Sequence, residues 1–405
     1  MKIAIVGAGS VGISAKYILN RKQIDSSLYE ATNDIGGLLR DITFEGRNFF
    51  AGCQYYTNKE ISYELMPKVG LKSFAYTYGS YTDIFDEISV STEFVGPTIK
   101  KQIKLNTPRD VSFLDISIEE KLKEYPAFIR FALQNWLAGI GIDSSQMHQS
   151  SLLGLGAIRV YLPNQIKEVQ IMRGDNPSAS NFYGLLYFNY TQDDSFAVPR
   201  DGFNLYLDSN VLPEIMSDTT TNVSVKIEAS ETGFRLRANK SLQPYDKIIW
   251  TGNPNPILRC LNLPKLDSHN LKCKILVGEI NIPIDKPFYI QVFSKKSNIL
   301  RIYLYKIKDK SCFTIEKIED EELSNDTIKF AKDILELFGI IALLDLKTEK
   351  KQNRYILHTL DDYKSLKVLN QILSSTNLIP AGWHLYGRDS KVGYVLDQIN
   401  NLQRN

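Results

Sequence analysis

Six residues near the start of the chain, Gly7-Ala8-Gly9-Ser10-Val11-Gly12, have the types and spacing to hold a pyrophosphate. In a Gly-x-Gly-x-x-Gly turn the first glycine permits a tight strand-to-helix reversal. The second lets backbone approach the anion, and the third lets the helix pack close to the sheet. Unpaired N–H groups at the helix start, backed by the helix dipole, face the phosphates. Ser10 and Val11 therefore belong to the cradle with the glycines. Alone the hexapeptide is a weak signal. Here Ile3-Ala4-Ile5-Val6 precedes it as a short apolar run of the buried-strand kind, and Val11, Ala15, Ile18 and Leu19 follow at helical spacing. Ser27-Leu28-Tyr29 then reads as a second strand ending at Glu30, roughly 20 residues beyond the glycines, the β-α-β context that the fingerprint needs. In this reading Glu30 accepts both ribose hydroxyls, and its charge repels a 2′-phosphate. The predicted ligand is an unphosphorylated adenine dinucleotide, FAD or NAD rather than NADP.

The elements that position this cradle follow from periodicity. Residues 61–198 change character: Phe113 to Ile116, Leu122, Tyr125, Phe128, Ile129 and Phe131 to Trp136 favour helices, and Tyr183 to Tyr190 is aromatic-rich. This stretch reads as a mainly helical insertion. From Asn222 strands return, with Val223, Val225 and Ile227 alternating, then Phe234 and Leu236, then Lys247 to Trp250. Ile275 to Ile280, Phe288 to Phe293, Leu300 to Ile307 and Cys312 to Ile318 predict a run of antiparallel strands. Asn325 to Phe338 reads as an amphipathic helix, Trp383 to Tyr386 as a strand, and Tyr394 to Leu402 as a last helix.

A chain of 405 residues, 43% hydrophobic and 23% charged, is neither disordered nor fibrous and has room for two or three domains. Its net charge of +2 excludes charge-driven recruitment of nucleic acid. The four cysteines form no Cys-x-x-Cys pair and the four histidines are dispersed, so no metal centre is predicted. No stretch of about 18 apolar residues suggests a membrane span, and a cytoplasmic protein is expected.

Beyond Glu30 the chain continues Ala31-Thr32-Asn33-Asp34-Ile35-Gly36-Gly37-Leu38. Here it resembles the glutathione-reductase-like flavoproteins, in the branch of amine oxidases, protoporphyrinogen oxidases and UDP-galactopyranose mutases. The resemblance implies that FAD is the cofactor and that Ala31, Gly36, Gly37 and Leu38 lie beside its pyrophosphate and flavin. Val198-Pro199-Arg200-Asp201-Gly202-Phe203 is similar to the family segment that leads into a helix. Asn222 to Ile227 is similar to the strand beside the adenine, and Tyr245 to Gly252 to a further family strand. Gly387-Arg388 resembles the C-terminal segment that meets the pyrophosphate and sets a helix N-terminus at the flavin. The implied fold is α/β: a Rossmann-like FAD-binding domain from residues 1–60, 199–260 and 378–405, the helical insertion 61–198, and an antiparallel-sheet substrate domain 261–377.

Within the branch, Glu45 to Asn58 is similar to the mutase segment ending Gly-x-His-x-Phe-His-Thr-Asn, with Gln54 where the family has histidine. Leu300-Arg301-Ile302 is similar to the mutase Tyr-Thr-Arg-Ile, which implies that Arg301 meets substrate phosphate. Tyr355 and Tyr394 lie where the mutases carry tyrosines of the substrate site. Leu396 replaces an expected acid, and no clear counterpart of a first substrate arginine is found, Arg173 being the nearest. The leading expectation is a flavoenzyme of nucleotide-sugar or polysaccharide metabolism, with reduced flavin N5 attacking an anomeric carbon and a reductant supplied from elsewhere. The alternative is an amine-oxidase-type enzyme passing hydride from an amine or C–H substrate to the flavin. The catalytic chemistry would be the flavin's own, with Gln54 beside it. Plain readings stand next to these: a structural ion pair for Arg301, packed tyrosines at 355 and 394, and core positions for Trp250 and Trp383.

Overall fold

The structure is a computed structural model and describes residues 1–52, 54–57, 66–75, 77–92, 115–123, 125, 127–155, 195–231, 233–238, 241–383 and 388–402. Its first sheet is parallel and carries the N-terminus at its centre. Strands β1 (Ile3–Val6), β2 (Ser26–Tyr29), β9 (Thr219–Thr220), β13 (Lys247–Trp250) and β19 (Leu378–Pro380) stand in the order β19-β13-β1-β2-β9. Ile3, Ala4 and Ile5 are fully buried, as a central strand covered on both faces requires. Helix α1 (Ser10–Arg21) returns the chain from β1 to β2, burying Ile13, Ala15, Ile18 and Leu19. This β-α-β unit agrees with the sequence reading.

A second sheet, antiparallel, stacks β10 (Lys226–Ser230), β11 (Gly233–Ala238) and β12 (Ser241–Gln243). The third has seven strands: β6 (Thr77–Thr82), β7 (Ser89–Ser91), β14 (His269–Ile280), β15 (Phe288–Phe293), β16 (Ile299–Ile307), β17 (Lys310–Ile318) and β18 (Leu344–Leu357). Their order is β18-β14-β17-β16-β15-β6-β7, antiparallel except where β6 runs parallel to β15. Two strand pairs, β3 (Ile42–Phe44) with β4 (Arg47–Phe49) and β5 (Leu71–Ala75) with β8 (Ser195–Pro199), connect the layers. The antiparallel run predicted from Ile275 to Ile318 is present. β18 lies at a sheet edge and carries Lys347, Lys350 and Lys351, charges that discourage pairing with another chain.

Among the described residues the remaining α-helices are α2 (Ile118–Leu122), α3 (Ala127–Gly139), α4 (Ser151–Leu155), α5 (Phe203–Tyr206), α6 (Leu212–Ile215), α7 (Asn255–Cys260), α8 (Ser324–Leu337), α9 (Leu360–Leu373) and α10 (Arg388–Leu402). A π turn, Leu207–Val211, joins α5 to α6. Thr359 and Asp362 form a reciprocal capping box that starts α9. α10 packs on α1.

Four details differ from the sequence reading. The strand beside β2 is Thr219–Thr220, whereas Asn222 to Ile227 leaves that sheet and only its end enters β10. Trp383 lies in a turn, and the strand before it is Leu378–Pro380; His384 to Tyr386 lie outside the described residues. The last helix starts six residues earlier than Tyr394, at Arg388. Residues 61–198 contribute β5, β6, β7 and part of β8 besides the helices α2 to α4. Trp250 and Trp383 are core residues, 4% and 8% exposed.

Candidate functional site

The chain leaves β1 through Gly7, whose φ of 99° lies in the left-handed region. Thr251, at the end of β13, clasps this turn, its hydroxyl 2.9 and 3.0 Å from the carbonyl oxygens of Val6 and Gly7. A Cβ on Gly12 would lie 1.9 Å from the Gly7 carbonyl oxygen, so the third glycine sets the spacing of helix and turn. Gly9 is different. Its backbone is extended (φ −73°, ψ −176°), and a Cβ there would meet nothing within 4 Å. Neither conformation nor packing within the protein demands glycine at 9. Ser10 and Val11 follow as the first residues of α1, both half-buried.

Glu30 stands at the end of β2 against this loop. Its Oε2 accepts from the Ala8 N–H at 2.7 Å, and its Oε1 from the Thr32 N–H and hydroxyl, both at 3.0 Å. Ala31 is exposed beside it. The Gly36 N–H donates to the Ala8 carbonyl at 2.8 Å. Gly36 and Gly37 are both left-handed (φ 119° and 53°), and a Cβ on Gly37 would lie 3.6 Å from the Gly9 α-carbon. The exposed Leu38 offers its carbonyl to the side-chain N–H of Gln54. Gln54 is buried, and its Oε1 has no hydrogen-bond partner among the described residues. Arg388 opens α10, donates to the Tyr55 carbonyl, and lays its guanidinium 4.9 Å from the Tyr56 ring centre. Gly387 lies outside the described residues. The predicted cofactor residues thus converge from three distant parts of the chain. They fit the FAD implied by the sequence resemblance: an open face at Gly9, a left-handed glycine pair opposite, and a buried acceptor awaiting a donor.

The predicted substrate residues divide. Arg301 on β16 and Tyr355 on β18 meet on one carboxylate, that of Glu316 on β17, which is fully buried. Tyr355 donates to Glu316 Oε2 at 2.7 Å, Arg301 Nη1 lies 3.6 Å from the same oxygen, and Arg354 Nη2 holds Oε1 at 2.9 Å. Arg301 also donates to the Gly154 carbonyl at 3.3 Å and lies 5.2 Å from the Tyr355 ring centre. The ion pair of the plain reading is therefore present, and it is built into the sheet. Burial holds the Tyr355 phenol well above its usual range, with the Arg301 charge opposing. Burial, and next the Glu316 charge, push the neighbouring Cys273 thiol up to about 12, so it stays protonated and inert. Tyr394 stands on α10, half-buried among core residues, and burial raises its phenol pKa. Arg173 lies outside the described residues.

Sequence reasoning missed Glu316 and the part played by Arg354. A lone acid inside Cys312-Phe313-Thr314-Ile315-Glu316 was the available signal, because an unpaired carboxylate is not buried in an apolar strand.

The NAD(P)-binding Rossmann-like domain family matches residues 5–66. No curated protein matches the sequence. Among solved structures, a reduced UDP-galactopyranose mutase is similar at 13% identity and TM-score 0.65, over 99% of this chain and 96% of that one. A putrescine oxidase double mutant redesigned in cofactor binding is similar at 14% identity and TM-score 0.64, over 100% and 99%. A protein of Exiguobacterium sp. 255-15 with a provisional protoporphyrinogen oxidase name follows at 15% identity and TM-score 0.58, over 99% and 98%. Among the described residues no helix is long and apolar enough to cross a membrane. At these identities the likeness is one of fold: along its whole length the chain shares the architecture of a mutase and of oxidases.

Proposed function

We propose that this chain is an FAD-dependent flavoenzyme, with the dinucleotide held by the Gly7–Gly12 loop, Glu30–Ala31, the Gly36–Leu38 turn, Gln54 and the start of α10. The observation that carries the reading is Gly9, a glycine that nothing inside the protein requires. Bound FAD would supply the electron-pair chemistry, while the chain binds, orients and excludes water. In this reading the cofactor domain comprises residues 1–60, 199–260 and 378–405. The substrate layer is 261–377, and the insertion 61–198 adds β6 and β7 to it.

For the substrate we favour a nucleotide sugar handled in a mutase-like way. The Arg301 and Arg354 guanidiniums both reach the Glu316 carboxylate, and Arg354 also holds the Ala51 carbonyl. Arg301, with Tyr355 and Tyr394, would face the diphosphate, since a planar guanidinium binds phosphate oxygens bidentately. An amine-oxidase-type oxidoreductase is the second reading. It is favoured by the bonds of Arg301 to Glu316 and Gly154, which use that charge within the protein.

The test begins with the released cofactor, which should chromatograph as FAD; failure to bind FAD on reconstitution refutes the proposal. Calorimetry of dithionite-reduced protein with UDP and other nucleoside diphosphates then separates the two readings. Binding that is lost in Arg301→Ala supports the nucleotide sugar. No binding, together with oxygen uptake on a panel of amines, supports the oxidase.

A further inference from the structure

Phe50, Ala51 and Tyr56 are each fastened to a different part of the fold. The Phe50 N–H donates to the Tyr305 hydroxyl at 2.9 Å, and the Phe50 carbonyl accepts from Thr314 at 2.8 Å. Arg354 Nη1 donates to the Ala51 carbonyl at 2.9 Å while its Nη2 is held by Glu316 at the same distance. Tyr56 exchanges backbone hydrogen bonds with Ala197 at 2.7 and 3.0 Å. Gly52 lies directly under the Arg354 guanidinium: a Cβ there would sit 1.8 Å from Nη2. The far end of an arginine ordinarily swings away from such a contact. Here both of its nitrogens are already engaged and its side chain is only 11% exposed. The two Arg354 contacts fall at Ala51 and Gly52, three and two residues before Gln54, whose buried Oε1 is a hydrogen-bond acceptor without a donor among the described residues.

We infer that Arg354, locked by Glu316, is a positioning residue that fixes the Ala51–Gly52 backbone so that Gln54 presents its free Oε1 to an N–H of the bound flavin. The inference rests on FAD occupying the proposed cradle. The chemistry matches, because a buried amide oxygen needs an N–H donor and the isoalloxazine edge carries one. Arginine suits the task because its fork reaches a carbonyl and a carboxylate at once. A lysine point charge has no such pair of fixed donors.

The experiment is a double-mutant cycle on the affinity for oxidised FAD, read by quenching of flavin fluorescence. One arm is Gln54→Leu. The other is Arg354→Met combined with Glu316→Gln, which removes that pair as a unit and leaves an amide oxygen for Arg301 and Tyr355. Each arm should weaken FAD binding by about fivefold, the worth of one neutral hydrogen bond. Their combination should be no weaker than either alone, since one residue acts through the other. Gly52→Ala, which displaces the guanidinium without deleting it, should give the same loss and the same absence of further loss with Gln54→Leu; it replaces the second arm if the paired variant fails to fold. A merely structural role predicts independent, multiplying losses. Multiplying losses, or unchanged FAD affinity in the Arg354 and Gly52 variants, overturn the inference while leaving the cofactor assignment standing. A wild-type protein that binds no FAD overturns both.

Discussion

Replacing Gly9 by alanine and, separately, Gly12 by alanine distinguishes a glycine kept for a ligand from one kept for packing. At Gly9 the backbone is one that any residue adopts, and the added methyl meets no protein atom within 4 Å. The substitution removes unfolded-chain entropy, which stabilises by about 0.4–1 kcal/mol where the native conformation is compatible. At Gly12 the methyl would lie 1.9 Å from the Gly7 carbonyl oxygen, a backbone atom held by Thr251. Overpacking of this kind costs about 1–3 kcal/mol, and the better helix propensity of alanine returns about 1 kcal/mol. The melting temperature of cofactor-free Gly9→Ala should therefore equal or exceed that of wild type, and that of Gly12→Ala should fall. FAD affinity should show another order. A methyl placed between backbone and pyrophosphate should weaken binding in Gly9→Ala by about tenfold or more, or about 1.4 kcal/mol. Fluorescence titration with FAD and thermal melting of the same preparations give both quantities. If Gly9→Ala bound FAD like wild type, the pyrophosphate would not lie against this loop and the proposed cradle would be refuted.

Two further outcomes concern acids, one half-buried and one buried. Glu30→Ala should weaken FAD binding by at least about tenfold, the worth of one charge-assisted hydrogen bond to the ribose; an unchanged dissociation constant would put the ribose elsewhere. Asp41 accepts from the Asn204 N–H at 2.9 Å, yet burial pushes its carboxyl pKa up to about 7. Unfolded, it ionises near the usual value of about 4. Between those two values the folded state holds a proton that the unfolded state has lost, so Asp41 makes stability fall as pH rises from about 4 to about 7, and level off above. Asp41→Asn should remove that fall. A stability difference between variant and wild type that stays constant over this range, measured by denaturant unfolding, would show that Asp41 is ionised in the fold.

Local periodicity carried much of the architecture. Ile3 to Glu30 could be read because strand, glycine turn, helix and acid are contiguous, and Ile275 to Ile318 because each strand is long and apolar. β6 was hidden by its composition, Thr77-Tyr78-Gly79-Ser80-Tyr81-Thr82, which joins small and hydroxylated residues that look like a loop until a strand pairs along each edge. β9 has only two residues, too short for any period. The cluster around Glu316 was out of reach for another reason. Its members come from three strands, and only their antiparallel register decides that Arg301, Arg354 and Tyr355 share one carboxylate. Spacing along a chain carries no such information.

The parallel sheet has a consequence for how the chain is made. β1 is made long before one of its two neighbours, β13, which pairs Ile3 with Lys247, and β19 lies beyond that. Until β13 has been synthesised, β1 is an apolar strand with one edge unpaired. Non-local pairing of this kind is slow and exposed to aggregation. Arg388 and α10 follow later than either strand. The proposed dinucleotide cradle therefore closes only once α10 has been made, and a chain that stops short of Arg388 should collapse without binding FAD.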